Sequence, residues 1–214
     1  MFITFEGPEG SGKTTQIALL TEALRASGHH VVATREPGGT PLGDRIRGLL
    51  LDSVEPIAPE TEAYLMTAAR AEHVRRVIKP ALQDGAIVIS DRFVDSTLAY
   101  QGAGRGLPIA ELAALQELAV GRLRPDLTVL LDVDVLLGLA RRGAAGGVNR
   151  IDREDVPFHE RVAEWFRAAA AEDRQRWVVI SGDDTPSAVH DAVLRAAEER
   201  LPQAARAGQE GFVR

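Results

Sequence analysis

The amino-acid sequence predicts an α/β fold with a doubly wound, five-stranded parallel sheet. Three observations lead to this prediction: short apolar runs recur along the chain, helical stretches separate them, and charged residues stand where several runs end. Consecutive apolar residues are typical of strands buried on both faces, and a helix between two strands supplies the crossover that parallel pairing needs. Ligands bind beyond the carboxyl ends of such strands, so the charged residues there are candidate functional groups.

Five runs are predicted to be strands, because each is short and mostly apolar on consecutive positions. They cover residues 2–6, 31–34, 86–90, 127–133 and 177–181. Glu36 follows the second run, Asp91 and Arg92 follow the third, and Asp132 and Asp134 close the fourth. We expect these charged side chains to lie along one edge of the sheet.

Seven stretches between and after these runs are predicted to be helices. They cover residues 13–26, 41–51, 60–82, 109–120, 135–142, 156–176 and 185–201. Many have apolar residues three and four positions apart, as Leu112, Leu115 and Leu118 illustrate. Such stripes are typical of helix faces that pack on a core.

Length and composition favour a single domain. The chain has 214 residues, of which 45% are hydrophobic and 26% charged, so it can bury one sizeable core. We expect one domain over residues 1–201, with a mobile lid at residues 141–155. Residues 202–214 mix Ala, Gly, Gln and charged residues, which is typical of a frayed tail.

Charge and cysteine content exclude several classes of protein. The net charge of -6 argues against a general nucleic-acid binder, which would usually be basic. The absence of cysteine excludes disulfides, thiolate metal sites and cysteine nucleophiles, and it favours the cytoplasm. Met1 leads directly into a strand, so we expect no signal peptide, and no apolar run reaches membrane-spanning length.

The most specific motif follows the first strand and opens the first helix. It consists of Gly7, Pro8, Glu9, Gly10, Ser11, Gly12, Lys13, Thr14 and Thr15. Its first eight residues fit the phosphate-binding pattern G-x-x-x-x-G-K-[ST], in which Lys13 reaches the β- and γ-phosphates and the Thr14 hydroxyl holds Mg²⁺. The positive end of the helix adds to the attraction. We expect a nucleoside triphosphate here; the alternative is a glycine-rich turn without a ligand.

A second unusual segment is rich in glycine and flanked by arginines. Residues 143–147 include three glycines, and the flanking arginines are Arg141, Arg142, Arg150 and Arg153. The phosphate loop elsewhere in the chain favours a mobile basic lid over a bound nucleotide. The alternative is a solvated loop with ordinary surface charge.

Two arginines come directly after predicted strands. Arg35 and Glu36 lead into a Pro-Gly-Gly turn at residues 37–39, and Arg92 follows the third strand. Both arginines are therefore expected at the ligand edge of the sheet. For Arg35 the alternative is a capping side chain paired with Glu36.

A third arginine lies on the predicted helix 60–82. Arg70 follows Met66 by four residues, so the two side chains share a helix face. From this pattern alone, Arg70 could equally be a surface partner of Glu72 or Glu62.

The arginines indicate the type of acceptor. Arg35, Arg70 and Arg92 can converge on one anion, and guanidinium groups suit phosphate oxygens well, so we expect the acceptor to carry a phosphate. Such an acceptor is already anionic at neutral pH and needs no general base. The main barrier to such a transfer is the repulsion between the nucleoside triphosphate and the phosphate of the acceptor, and Mg²⁺, Lys13 and the arginines would reduce this repulsion.

Three segments together resemble the thymidylate kinase family. Residues 89–101 read Ile-Ser-Asp-Arg-Phe-Val-Asp-Ser-Thr-Leu-Ala-Tyr-Gln and are similar throughout to the family signature. Residues 5–7 and 35–40 support the resemblance, which covers nearly the whole chain. It implies a cytoplasmic enzyme of the phosphate-loop kinase fold that uses ATP and Mg²⁺ to convert dTMP to dTDP. It also implies a homodimer without a nucleic-acid or membrane partner.

The resemblance assigns roles on the acceptor side. The residues that would contact dTMP are Glu9, Arg35, Met66, Arg70, Arg92, Thr97, Tyr100 and Gln101. By this resemblance the three arginines bind the phosphate, Glu9 holds the 3′-hydroxyl, and Thr97 and Gln101 face the thymine edge. The Tyr100 ring would occupy the place of a ribose 2′-hydroxyl.

The resemblance also assigns roles on the ATP side. Asp91 and Thr14 would organise Mg²⁺, and Asp132 would either assist them or only cap the following helix. The residues given to catalysis are Lys13, Arg92, Arg150 and Glu9, and Arg141 joins the phosphate loop in binding ATP. Arg150 is the expected lid cation on the transferred phosphoryl group, because the loop itself offers only Gly10 and Ser11 in that place.

Two features depart from the family pattern. Met66 stands where the family usually has a phenylalanine that stacks on thymine, so the aromatic platform is missing. The extra lid glycines at 143, 146 and 147 raise the entropy lost on closure.

Two other functions fit part of the sequence. A deoxynucleoside kinase would use Asp91 or Glu36 as the base that deprotonates a sugar hydroxyl. A nucleotide-dependent switch would hydrolyse nucleotide without an acceptor, but it would leave the acceptor-side arginines unexplained.

Overall fold

The computed structural model describes residues 1–201 and confirms the expected α/β fold with five parallel strands in one sheet. The strands are β1 Phe2–Glu6, β2 Val31–Arg35, β3 Ile87–Asp91, β4 Leu127–Asp132 and β5 Trp177–Ser181. Their spatial order is β2-β3-β1-β4-β5. The predicted frayed tail, residues 202–214, lies outside the described residues.

Helices connect the strands and follow the last of them. They are α1 Lys13–Ala26, α2 Pro41–Leu51, α3 Pro59–His73, α4 Lys79–Gln83, α5 Val94–Thr97, α6 Ile109–Val120, α7 Val135–Ala144, α8 Val156–Glu172 and α9 Pro186–Arg200. Two π-helical segments, Val74–Ile78 and Leu98–Gly104, follow α3 and α5, and a short 3₁₀ turn, Ile151–Arg153, precedes α8. Within residues 1–201, no helix is long and apolar enough to cross a membrane.

The core lies on both faces of the sheet. Phe5 and Leu131 belong to the buried cluster that α1 and α9 complete on one face. On the opposite face, Leu130 packs with Phe166 of α8, and Phe2 packs edge-on against Phe93 at a ring separation of 5.0 Å. Each central strand is therefore apolar on consecutive positions because both of its faces are covered.

The strand register brings several candidate residues to one edge. Asp91, the last residue of β3, pairs with Phe5 of β1 and with Arg35 of β2. Glu36, Arg92 and the phosphate loop leave the sheet from this edge. The expectation that the strand ends carry the functional groups is consistent with this arrangement.

The third predicted helix is not continuous. The chain passes through the π-helical segment Val74–Ile78 before α4, because Pro80 has no N–H with which to continue the regular ladder. Helix α8 also ends earlier than predicted, at Glu172, where the Asp173 carboxylate accepts the backbone N–H of Arg176 at 3.2 Å and forms a turn.

The helical stretch 94–104 was not predicted. It is rich in small residues and carries no regular apolar stripe, and its shape depends on close packing. A Cβ at Gly104 would lie 2.6 Å from the Phe158 ring of α8. Contacts from other elements, which sequence periodicity does not contain, therefore stabilise this segment.

Candidate active site

The phosphate loop has the backbone shape that its glycines predict. Gly7, Gly10 and Gly12 all have positive φ angles, of 139°, 67° and 91°. A Cβ at Gly10 would lie 2.0 Å from the Gly138 carbonyl oxygen of α7, so only glycine fits there. Helix α1 begins at Lys13 without a side-chain cap, which leaves its first N–H groups available to an anion.

Lys13 is folded back onto the loop itself. Its Nζ donates to the carbonyl oxygens of Gly7 at 3.0 Å and Pro8 at 2.8 Å, and to Ser11 Oγ at 3.1 Å. Burial and the neighbouring Arg92 lower the pKa of Lys13 to about 8. Phosphate oxygens would attract this ammonium group away from the carbonyls and stabilise its charge.

A cavity of about 420 Å³ opens beside the loop. Its basic residues are Lys13, Arg35, Arg47, Arg92, Arg141 and Arg142, and its acidic residues are Glu9, Glu36 and Asp91. Loop residues from Gly10 to Thr15 also contribute to the wall. Six cationic side chains around one cavity suit a ligand that carries several negative charges.

Two residues at this cavity fit a Mg²⁺ ion. Thr14 Oγ1 donates to Asp91 Oδ2 at 3.3 Å, which brings a hydroxyl and a carboxylate together. The other oxygen, Asp91 Oδ1, is buried and has no hydrogen-bond partner among the described residues. No cluster of three or more metal-binding side chains occurs within residues 1–201. Such a sparse donor set suits Mg²⁺, which keeps several waters and takes further ligands from phosphates.

Glu9, Arg92 and Tyr100 form a connected group on the other side of the loop. Glu9 Oε1 accepts from Arg92 Nη2 at 2.9 Å and from Tyr100 Oη at 2.7 Å. The Arg92 guanidinium lies over the Tyr100 ring, 4.7 Å from its centroid. Burial alone would raise the pKa of Glu9, but Arg92, Lys13 and Tyr100 together lower it to about 2, so the carboxylate is ionised.

The Arg92 backbone adopts an unusual conformation. Its φ of 73° is the one positive value at a non-glycine residue in the described part of the chain. Hydrogen bonds from Arg92 Nη1 to the Gly7 carbonyl, at 3.2 Å, and to Ser96 Oγ, at 3.1 Å, hold the side chain toward the loop. Backbone strain at this position is thus accompanied by a fixed guanidinium orientation.

Arg35 lies at the cavity, as expected for an acceptor-side cation. Its Nη2 donates to Asp44 Oδ1 at 3.2 Å, and about half of its side chain is exposed. The alternative pairing with Glu36 is wrong, because both oxygens of Glu36 are bonded to Arg70 and His73.

Arg70 differs from its expected placement with the other two arginines. Its side chain is buried and donates to Glu36 Oε2 at 2.6 Å, to Thr97 Oγ1 at 2.7 Å and to the Phe93 carbonyl at 2.7 Å. It also donates to Gln116 Oε1, so protein acceptors already occupy most of its N–H groups. Arg70 therefore does not line the charged cavity. The alternatives of a surface pair with Glu72 or Glu62 are wrong as well.

Arg150 also differs from its expected placement. Its Nη2 donates to Glu62 Oε2 and its Nε donates to the Leu50 carbonyl at 3.1 Å, and Arg150 does not line the charged cavity. Arg141 and Arg142 line the cavity instead. Arg142 donates to the Gly146 and Gly147 carbonyls, both at 2.7 Å, and so orders the glycine-rich segment.

Asp132 does not cap the helix that follows it, and its assistance to Mg²⁺ stays a prediction. Both of its oxygens accept from Arg167 Nε, at 3.0 and 2.9 Å. Helix α7 is capped by Asp134, whose Oδ1 accepts the Leu137 N–H at 3.0 Å. Asp132 therefore makes an ion pair with α8.

The residues expected at the thymine edge lie on one helical stretch. Thr97 ends α5 and Gln101 lies in the π-helical segment that follows, and both are buried. Met66 of α3 is partly buried and packs on the cluster formed by Ile46, Leu50 and Ala69.

Arg47 was missed by the sequence analysis. It lies on α2, donates to the Pro37 carbonyl at 3.0 Å and lines the charged cavity. Burial and the nearby Arg35 lower its pKa. Its spacing of three residues from Asp44, the partner of Arg35, is the signal that could have placed it on this face of the helix.

Comparisons with known proteins agree with this site. The family model described as thymidylate kinase matches residues 5–193. The chain is 56% identical over 206 residues to a thymidylate kinase from Thermomicrobium roseum, covering 96% of this chain and 98% of the relative. A thymidylate kinase from Geobacter sulfurreducens is 50% identical over 211 residues, with 94% and 98% coverage.

A solved structure shows the same fold. The crystal structure of a thymidylate kinase from Ehrlichia chaffeensis is similar with a TM-score of 0.76 and 37% identity. The similarity covers 92% of this chain and 98% of that one. The phosphate loop, the ring of cations and these full-length similarities lead to one conclusion: the chain belongs to the thymidylate kinase family, an ATP-using family, and phosphorylates dTMP to dTDP.

Proposed function

We propose that ATP and dTMP meet in the charged cavity, and that the γ-phosphoryl group passes directly and in line to a phosphate oxygen of dTMP. The observation that carries this proposal is the distribution of cations around a single cavity. Lys13 lies on the loop side, Arg35, Arg47 and Arg92 lie on the acceptor side, and the lid supplies further arginines. Such an arrangement reduces the repulsion between two polyanions and holds their geometry.

On the ATP side, the loop residues 7–15 bind the phosphates through backbone N–H groups and the Lys13 ammonium. Thr14 and Asp91 would hold Mg²⁺, whose chemistry is to neutralise charge on the β- and γ-phosphates. Arg141 donates to the Gly182 carbonyl at 2.7 Å, which holds this side chain at the loop side of the cavity. In this position it can contact ATP.

On the acceptor side, Arg35, Arg47 and Arg92 bind the dTMP phosphate. Glu9 is ionised and held by Arg92, so it can accept the 3′-hydroxyl of the deoxyribose. The Tyr100 ring, fixed by Glu9 and by the Arg92 cation, fills the space of a 2′-hydroxyl. Thr97 and Gln101 face the base.

For the transferred phosphoryl group, the lid cation is Arg142. It lines the cavity together with Lys13 and Arg92, whereas Arg150 is bound to Glu62. A cation at this place acts most strongly on the charge of the transition state.

A nucleoside kinase that uses Glu36 as a base is inconsistent with the arrangement. Glu36 is buried, and Arg70 and His73 occupy its two oxygens. Burial would raise the pKa of Glu36, but Arg70 and His73 lower it, so the carboxylate is a poor proton acceptor.

We further propose that the chain forms a homodimer through α2, α3 and α6. Helix α3 packs against both other helices, and each of the three exposes a large apolar side chain: Leu49, Tyr64 and Leu118. Exposed apolar groups of this size on helices that pack together favour burial against a second copy. Light scattering after size exclusion should give twice the mass of one chain.

The decisive experiment measures ADP formation from ATP and Mg²⁺ with dTMP, dUMP, UMP, dCMP or thymidine as acceptor, beside a control without acceptor. The proposal expects turnover led by dTMP, with thymidine and UMP poor. Preference for thymidine would support a nucleoside kinase instead. Equal ADP formation without any acceptor would indicate a nucleotide switch.

A further inference from the structure

Two helical segments face each other beside the acceptor site. On α3, Glu62, Met66 and Arg70 are spaced four residues apart and lie on one face. Hydrogen bonds join this face to the segment 97–101 at two places. Arg70 Nη1 donates to Thr97 Oγ1 at 2.7 Å, and Gln101 Nε2 donates to Glu62 Oε1 at 2.7 Å. Met66, which we place beside the base, lies between these two bonds in the α3 sequence.

Glu62 is a fully buried carboxylate. Arg105 donates to both of its oxygens, at 3.4 and 3.3 Å, and Arg150 donates to Oε2. Burial would raise the pKa of Glu62, but the hydrogen bonds from Arg150 and Gln101 and the charge of Arg105 lower it. An ionised carboxylate has no proton to donate, so Glu62 can only accept hydrogen bonds.

This restriction fixes the orientation of the Gln101 amide. Because Glu62 only accepts, Gln101 must turn its NH₂ group toward the carboxylate, and the amide oxygen must then point elsewhere. Gln101 Oε1 is buried and has no hydrogen-bond partner in the described part of the chain. A buried acceptor without a donor is unfavourable, so Gln101 Oε1 is free to accept a hydrogen bond from a ligand.

We propose that Glu62 is a positioning residue for base selection: it holds the Gln101 amide so that Oε1 accepts the N3–H of thymine. This inference rests on the proposed function, in which Gln101 faces the base. Cytosine carries an acceptor at N3, so its nitrogen would meet the amide oxygen as a second acceptor and be rejected. Uracil has the same N3–H as thymine, so Glu62 does not separate dTMP from dUMP.

Thr97 is held in the complementary orientation. Its oxygen accepts from Arg70, and no acceptor for its own hydroxyl proton is found among the described residues. The hydroxyl is therefore able to donate to the thymine O4 carbonyl. Because Thr97 Oγ1 keeps a second lone pair, the hydroxyl can also accept from the amino group that cytosine has in that position. Discrimination against cytosine therefore depends on the Gln101 amide, which Glu62 holds in one orientation.

The test compares kcat and KM of the wild type and Glu62→Gln with dTMP, dUMP and dCMP. A glutamine can offer either its oxygen or its NH₂, so the Gln101 amide becomes free to reverse. We expect KM for dTMP to rise about tenfold, the dTMP-to-dCMP ratio of kcat/KM to fall at least tenfold, and KM for ATP to stay near the wild-type value. An unchanged ratio, or an equal loss for all acceptors and ATP, would overturn the proposal.

A matched control is Glu154→Gln. Glu154 also accepts from Arg105, at 2.6 Å, but makes no hydrogen bond to Gln101. Glu62, Arg105, Arg150 and Glu154 form one charged cluster. The Glu154→Gln variant removes a carboxylate from this cluster, and we expect it to retain the wild-type base preference. The same loss of preference in both variants would show that the cluster acts only on overall structure, against the proposal.

Two further variants keep the result interpretable if Glu62→Gln folds poorly. In the exchanged pair Glu62→Gln with Gln101→Glu, the charge of the cluster is kept and position 101 is an acceptor in either orientation. Preference for dTMP over dCMP should therefore return, and continued loss would contradict the mechanism. In a Gln101→Leu background, adding Glu62→Gln should change KM for dTMP no further.

The Gln101→Leu variant also tests the placement of Gln101 at the base separately from the role of Glu62. If it binds dTMP normally, the proposed placement of Gln101 at the base fails, and the role of Glu62 fails with it. If it binds dTMP poorly while Glu62→Gln behaves as wild type, only the inference about Glu62 is wrong.

Discussion

At the scale of single residues, Arg92 is the side chain that connects the most groups of the site. It contacts Glu9, lies over Tyr100 and reaches the phosphate loop through the Gly7 carbonyl. Neighbouring acidic groups outweigh the effect of its burial and raise its pKa, so its charge is permanent. The residue can therefore serve as a fixed cation on the acceptor phosphate throughout the reaction.

We predict that Arg92→Ala raises KM for dTMP by about 100-fold and leaves KM for ATP within about threefold of the wild type. Losing a hydrogen-bonded charge contact corresponds to a change of about 1.5–3 kcal/mol. Steady-state kinetics with each substrate varied in turn provide the measurement. Arg45→Ala, an exposed change on α2, is the control. An equal rise in both KM values would contradict the assignment of Arg92 to the acceptor.

Met66 provides a second prediction. Its flexible side chain is partly buried on a small apolar cluster and offers no aromatic surface to the base. We predict that Met66→Phe tightens dTMP binding several-fold, because a stacked aromatic pair contributes about 0.5–1.5 kcal/mol beyond area burial. Calorimetry of dTMP binding measures the change, with ATP binding as the internal control. An unchanged or weaker dTMP Kd would show that the aromatic platform does not govern base affinity here.

At the scale of elements, the two candidate lid cations, Arg142 and Arg150, are bound to different parts of the structure. Arg142 belongs to α7 and, at the same time, holds the glycine-rich segment through two carbonyls and an ion pair with Asp152 at 3.0 Å. Arg150 lies just before the 3₁₀ turn and is attached to α2 and α3 by Leu50 and Glu62. The two arginines are close in sequence but serve different parts of the molecule in this structure.

We predict that Arg142→Ala lowers kcat about 100-fold or more with a much smaller change in KM for ATP, because the lost charge acts mainly in the transition state. Arg153→Ala is the matched control, since Arg153 is an exposed arginine of the same segment whose Nη2 donates to the Val148 carbonyl at 3.3 Å. Arg150→Ala should lower kcat less than Arg142→Ala does. The opposite ranking would restore Arg150 as the lid cation.

Several elements could be predicted from sequence and others could not, for physical reasons. Strands β1 and β5 and helices α1, α2 and α6 have the predicted bounds, because consecutive apolar runs and local turn residues define them. The segment 94–104 has no such periodicity, since its π-helical shape arises from packing on α6 and α8. Strand ends predicted the site's location, whereas the partners of Arg70 and Arg150 depend on contacts between elements far apart in sequence.

At the scale of the whole molecule, Glu6 links the central strand to the acceptor side. It ends β1, and its two oxygens accept from the Phe93 N–H at 2.8 Å and from Ser96 Oγ at 2.5 Å. Burial, with a further contribution from Asp95, raises the pKa of Glu6 to about 8. At neutral pH the folded protein therefore keeps a proton on this carboxyl that the unfolded chain has released.

This linkage predicts how stability depends on pH. Between the unfolded pKa of about 4.5 and the folded pKa of about 8, the folded state binds one more proton than the unfolded state. The contribution of Glu6 is fully present below pH 4.5 and is lost as pH rises to about 8. The free energy of unfolding should fall by up to about 1.4 kcal/mol per pH unit in this window. Glu62 and Glu36 make the free energy of unfolding rise with pH, but only at lower pH, because their pKa values are lowered.

Glu6→Gln isolates the effect. The substituted amide keeps an oxygen for the Phe93 N–H and cannot titrate. We predict that urea unfolding at pH 5.5, 6.5 and 7.5 shows the wild type losing stability relative to Glu6→Gln at each step. Taking the difference between the two proteins cancels the buried His159, whose lowered pKa acts in the opposite direction near pH 6. A difference that does not change with pH would mean that Glu6 is ionised in the folded protein. In that case the charge of Arg92 outweighs burial at the end of β1.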